Sequence, residues 1–132
     1  MTDDPQHGAA RFTAAIPVLR IFSEDKAREF YLGFLGFGVD FEHRFGDNFP
    51  LFLQISRGGL VLQLSGHHGD ATPGARVRIV TQGIAALHRE LAAKDYRYAK
   101  PGLETTPWGS RDVTVTDPFG NVLCFTEPDA QG

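Results

Sequence analysis

Gly59-Leu60-Val61-Leu62-Gln63-Leu64 and, 61 positions later, Gly120-Asn121-Val122-Leu123-Cys124-Phe125 share one pattern. A glycine opens an apolar run whose fifth position is polar or soft, Gln63 in one copy and Cys124 in the other. Leu60–Ser65 alternates with period two, as a strand with two unlike faces must. Arg57-Gly58-Gly59 ahead of it is a tight hairpin signal, and Asp117-Pro118-Phe119-Gly120 is the turn ahead of the second copy. The chain therefore contains one unit twice.

Working outward, Leu51–Ser56 and Val39–Arg44 read as strands before the first copy, and Arg111–Thr116 and Tyr96–Ala99 before the second. Farther out, each half opens with a strand and a helix. Ala14–Ile21 is β-rich, with Pro17 marking an edge or bulge. Ser23 is placed to cap the next turn, and Glu24 and Asp25 suit the positive end of its dipole. Ala27, Phe30, Tyr31 and Phe34 then recur at helical spacing, until Gly36 and Gly38 end the run. In the second half Arg76–Thr81 is the strand and Thr81 the candidate cap. Ile84, Leu87 and Leu91 form the apolar stripe, with Glu90 and Lys94 spaced to pair along the helix. Phe22-Ser23 and Val80-Thr81, which end a strand and cap a helix, lie 58 positions apart.

Each half thus reads strand–helix–strand–strand–strand. About 60 residues bury too little surface to be comfortable alone, so the halves need each other. The expected class is α+β: two βαβββ modules, about 13–66 and 75–128, paired into a curled eight-stranded mixed sheet around a cleft. They form a single domain, 13–128, behind a flexible N-terminal arm, 1–12, with Gly66–Gly74 as the linker.

Composition bounds the function. With 132 residues, 42% of them hydrophobic and 22% charged, the chain is globular and sized for one core. A net charge of −3 excludes the basic footprint that nucleic acid requires. No apolar run approaches membrane-spanning length. One cysteine, Cys124, excludes an internal disulfide and fits a cytoplasmic protein, as does the absence of a signal-peptide pattern in residues 1–10. Eleven Phe are more than one small core needs, which leaves rings for a cleft or a subunit interface. Trp108 is the notable aromatic. It follows Pro107 in a polar stretch between two strands, where an indole suits stacking on a planar ligand or packing on a partner.

Several pieces carry a resemblance. Ile16-Pro17-Val18-Leu19, Glu29-Phe30-Tyr31, Leu35-Gly36-Phe37, Pro107-Trp108-Gly109 and Asp117-Pro118-Phe119-Gly120-Asn121 run across nearly the whole chain. Together they resemble the glyoxalase/bleomycin-resistance/dioxygenase (vicinal-oxygen-chelate) superfamily. The Trp-Gly pair ahead of Asp-Pro-x-Gly-Asn resembles its bleomycin-resistance branch. The resemblance implies paired βαβββ modules, a homodimer, and one of two activities: metal-dependent catalysis in the cleft, or metal-free capture of an antibiotic between subunits.

The family's metal ligands match Ile16, Gln63, Arg76 and Cys124 here. Ile16 has no donor atom, Arg76 carries a fixed positive charge, and only Gln63 and Cys124 remain as poor ligands for a hard ion. Three or four convergent ligands are needed, so no metal and no cofactor are expected. Arg76 instead reads as an anion contact opposite Gln63 or as half of an ion pair. His67 and His68 read as polar loop residues near Asp70, and His43 and His88 as surface or interface residues. Cys124, with no paired base in view, reads as a small hydrophobe.

In the bleomycin-resistance proteins an aromatic and acidic groove holds the ligand. The resemblance places that groove here at Asp40, Phe41, Phe45, Ser65 and Trp108, with Gln63 and Arg76 nearby and with Arg44 and Arg111 adding positive charge. The favoured expectation is a metal-independent binding protein that sequesters a small planar, cationic molecule of the bleomycin type in grooves of a dimer, with no catalytic residues. The alternative is a metal-dependent lyase, isomerase or dioxygenase with a non-standard ligand set drawn from His67, His68, Gln63 or Glu42. A third reading gives the fold to an interaction module or an unrelated metabolite.

Overall fold

The computed structural model describes residues 8–44 and 46–130. Strand β1 (Val18–Arg20) leads through the Ser23 cap into helix α1, which starts at Glu24–Ala27 and continues π-wound through Arg28–Phe34. Strands β2 (Gly38–His43), β3 (Phe52–Arg57) and β4 (Leu60–Ser65) complete the first module. The second comprises β5 (Arg76–Val80), α2 (Ile84–Lys94), β6 (Glu104–Thr105), β7 (Ser110–Thr116) and β8 (Val122–Pro128). Each module builds a four-stranded mixed sheet, ordered β1-β4-β3-β2 and β5-β8-β7-β6, so the eight strands divide between two sheets. The doubled glycine-led segment forms β4 and β8, each flanked by a parallel neighbour and an antiparallel one.

The period-two pattern becomes a core. Leu53, Ile55, Leu62 and Leu64 lie buried with Ala27, Phe30, Tyr31 and Phe34 of α1, while Val113, Val115, Leu123 and Phe125 join Ile84, Leu87 and Leu91 of α2. Burying such side chains contributes about 1.5–3 kcal/mol each, which is why the helical and strand stripes set the arrangement.

Several local expectations are corrected. Tyr96–Ala99 forms a turn closed by Ala99 N–H donating to the Tyr96 carbonyl at 3.3 Å, and the strand is the shorter β6 beyond it. Tyr96 leaves the strand pattern because its ring stacks on Phe34, 4.8 Å between centroids. The cap of α2 is Gly83, not Thr81, whose hydroxyl donates back to the Ile79 carbonyl. Of the expected first strand, Val18–Arg20 form β1, Pro17 and Ile21 add one flanking backbone bond each to β4, and residues 8–16 are exposed.

Glu90 and Lys94 do not pair with each other; both reach the other module. Glu90 accepts two hydrogen bonds from Arg57, at 2.8 and 2.9 Å, and Lys94 Nζ donates to the Gly33 carbonyl at 2.7 Å. The matching helix-to-hairpin contact at the other junction, one position away from strict repeat equivalence in each element, is Tyr31–Asp117, in which Tyr31 of α1 donates to the β7–β8 turn at 2.6 Å. Each helix thus receives the hairpin turn of the opposite module. At the second junction Asn121 closes the seam: Nδ2 donates to the Arg20 carbonyl at 2.9 Å and Oδ1 accepts from Ala75 N–H at 3.1 Å.

Candidate functional site

Strand β2 carries an extra residue. Its pairing with β3 shifts between Val39, opposite Ile55, and Phe41, opposite Gln54, so Asp40 is the bulged residue. A bulge breaks the up-down alternation of a strand. Asp40 and Phe41 therefore both contact the sheet face turned away from α1: Asp40 accepts from Gln54 Nε2 at 3.0 Å and Ser56 Oγ at 2.8 Å, while Phe41 stacks on Phe52 with rings 6.4 Å apart. Gln63 Nε2 donates to Gln54 Oε1 at 2.9 Å and extends the polar row. The bonds from Gln54 and Ser56 hold the Asp40 carboxyl below its ordinary value, so it is anionic at neutral pH. Every residue of β2 is exposed, Phe41 at 47%. An aromatic face and a fixed negative charge lie side by side.

The second sheet carries Trp108 on the β6–β7 turn, 71% exposed. The conformation of that turn is sequence-encoded. Gly109 adopts φ +94°, which a side chain would resist, and Thr106 N–H donates to the Ser110 carbonyl at 2.8 Å. Ser110 Oγ donates to Asp112 Oδ1 at 3.0 Å, and Thr126 Oγ1 donates to the same oxygen at 2.6 Å. Asp112 is buried, and chiefly the Thr126 bond, with help from Ser110, Cys124 and Arg78, keeps its carboxyl below the ordinary value. A buried anion thus anchors the loop that presents the indole.

The structure joins Asp40 to Gln63 through Gln54, with Phe41 alongside. Trp108 stands on the other module. Ser65 is fully buried and engaged in the loop that follows it, donating to Asp70 at 2.5 Å and accepting from His67 N–H at 3.0 Å. Phe45 lies outside the described residues. Arg76 pairs in register with Val122, whereas Arg78 pairs with Cys124 and donates to its sulfur at 3.6 Å. Arg44 bonds Glu24, and Arg111 Nη2 is 3.8 Å from Glu127. Those two positive charges are compensated.

Sequence reasoning missed Gln54, Ser56, Asp112 and Arg78. Gln54 and Ser56 were legible as the polar phase of an alternating strand, but their partner Asp40 depends on the bulge. Asp112 carried no signal beyond a charge in a short strand.

A metal centre does not fit these residues. Strand register sets Val18 beside Gln63 and Arg78 beside Cys124 at the repeat-related positions. That set offers one amide oxygen and one thiol next to a guanidinium, which repels a divalent cation. Among the described residues no three His, Cys, Asp or Glu side chains converge as ligands.

Two βαβββ modules, each a four-stranded mixed sheet with its helix, define the class of fold. The chain belongs to the glyoxalase superfamily, whose family model matches residues 2–132. Its structure is similar to TnmS3, an antibiotic binding protein from Streptomyces sp. CB03234, with 25% identity, TM-score 0.72, and 92% of this chain and 99% of that one covered. It is similar to a bleomycin-binding protein from bleomycin-producing Streptomyces verticillus, complexed with copper(II)-bleomycin, at 30% identity and TM-score 0.67 over 92% and 100% of the two chains. A glyoxalase/bleomycin resistance protein from Streptomyces sp. CB03234 gives 26% identity and TM-score 0.67, over 86% and 98%. Among curated proteins compared by sequence, none matches significantly. No helix among the described residues is long and apolar enough to cross a membrane.

Proposed function

We propose that this protein is a metal-independent binder of a small planar, cationic antibiotic of the bleomycin type, held in grooves of a homodimer. The carrying observation is the β2 bulge, which places the ionised Asp40 and the exposed ring of Phe41 on one face. Stacking on Phe41 and Trp108 supplies affinity, Asp40 compensates the ligand's charge, and no bond is made or broken. Phe45, Gln63, Ser65 and Arg76 belong to the same proposed groove, with Ser65 acting through the loop it holds. The dimer is supported by apolar residues left in the open, Phe22 at 61%, Val80 at 76% and Trp108 at 71% exposure. In this reading residues 1–12 form an arm on one domain, 13–128, and the protein works in the cytoplasm. The similarity to two antibiotic-binding proteins supports the ligand class.

Titration with copper-free and copper-loaded bleomycin tests it, read through the fluorescence of Trp108, the only tryptophan. A saturable change supports the proposal. A flat titration up to high micromolar ligand overturns the antibiotic reading.

A further inference from the structure

The internal repeat creates two equivalent junctions between the modules, and only one is closed. At the closed one Tyr31 meets Asp117, Asn121 bridges to Arg20, and Phe22 packs against Phe119 with rings 6.1 Å apart. At its counterpart Arg57 meets Glu90, but Leu60 stands in the place of Asn121 and makes no side-chain bridge. A cavity of about 650 Å³ remains there, lined by Leu35, Phe37, Leu60, Leu87, Phe125 and Arg78, among others. Small-molecule sites typically span about 300–1,000 Å³ with mostly apolar walls and a few polar groups.

The charges in its wall select the ligand. Arg57, Glu90 and Arg78 are the charged lining residues. Arg57 and Glu90 cancel in a two-bond ion pair, and Arg57 also donates to the Leu35 carbonyl at 2.7 Å. Arg78 makes no ion pair among the described residues; it donates to the Cys124 sulfur, and its charge also acts on the buried Asp112 carboxylate. The one guanidinium among the lining residues that no ion pair occupies suits a single carboxylate or sulfonate, which it can grip through two parallel bonds.

We propose that this open junction is a second binding site, for a small amphipathic monoanion whose apolar body fills the seam and whose acid group meets Arg78. It is separate from the groove proposed for the antibiotic, because none of Asp40, Phe41, Gln63 or Trp108 lines it, and of the residues put forward for the dimer contact it shares only Val80.

The full chain is titrated with 8-anilinonaphthalene-1-sulfonate and with its uncharged relative N-phenyl-1-naphthylamine. The sulfonate is expected to bind saturably and to be displaced by decanoate. Arg78→Gln should weaken the sulfonate at least tenfold and leave the neutral probe unchanged. Ala86→Trp, a change at an exposed helix position on the cavity wall, should weaken both, and Trp108→Ala neither. Equal sulfonate affinity in Arg78→Gln, insensitivity to Ala86→Trp, or loss of binding in Trp108→Ala overturns the proposal. So does probe binding that occurs only on dilution below the self-association range in sedimentation, because the cavity would then be an interface between copies.

Discussion

The hydroxyl of Tyr31 donates to Oδ2 of Asp117 at 2.6 Å, tying the first helix to the last hairpin turn across 86 positions of chain. The carboxylate is otherwise occupied by Phe119 N–H, Asn121 N–H and Asn121 Nδ2, each at 2.8 Å, so all four of its contacts are made by buried or half-buried donors. Asp117, Tyr31 and Asn121 are all buried. The family's Asp-Pro-x-Gly-Asn piece is therefore a fastener between modules.

Tyr31→Phe should cost about 1–3 kcal/mol, the range for leaving a buried acceptor short of a partner. Urea unfolding measures it. Burial first, and then the Asp117 charge, push the Tyr31 phenol above its ordinary value. A group raised in this way stabilises the fold fully below its unfolded value of about 10 and loses that contribution as pH climbs further. The variant should therefore show a flatter alkaline limb of stability than the parent.

Trp108→Ala should leave stability within about 0.5 kcal/mol, since the indole is largely exposed. It should weaken antibiotic binding by about 1–4 kcal/mol, as losses of aromatic anchors do. Calorimetric titration beside a thermal melt separates the two effects.

Asp40→Asn should weaken a cationic ligand and spare a neutral one of the same shape. Because Gln54 and Ser56 lower the Asp40 carboxyl, affinity in the parent should hold as pH falls to about 4 and drop only below it. A loss of affinity already at pH 6 would point to a different anchor.

Acid should loosen the second module from two places. Glu127 caps the start of α2 by accepting from Ile84 N–H at 2.9 Å, and the Ile84 and Gly83 amides lower its carboxyl. Asp112 is lowered chiefly by Thr126. Carboxyls lowered in the folded state stabilise it above their unfolded values, about 4, and that stability disappears as pH falls through the folded ones. Glu127→Gln should therefore blunt the fall in melting temperature below pH 5, and Asp112→Asn should also broaden Trp108 fluorescence by freeing its turn.

The repeat was readable because alternation and helical spacing are local and each half repeats them. Leu60–Ser65 matches β4 end to end, and the stripes of α1 and α2 are buried as their spacing implies. Tyr96–Ala99 misled because aromatic enrichment looks the same in a strand and in a turn whose ring stacks on Phe34. The candidate site was half legible. Asp40 and Phe41 were named, but the network under them depends on a one-residue register shift that no local pattern shows. Arg78 was not named, because Arg76 and Arg78 share a strand face and only pairing with β8 shows which of them lies beside Cys124.

That register shift also makes β2 sensitive to length in a way that composition is not. Deleting Asp40 alone would restore strict alternation along β2, removing the acid while leaving Phe41 opposite Gln54. On the proposed binding face the ring would stay and the charge would go, so a strand one residue shorter would carry a different surface on the same scaffold.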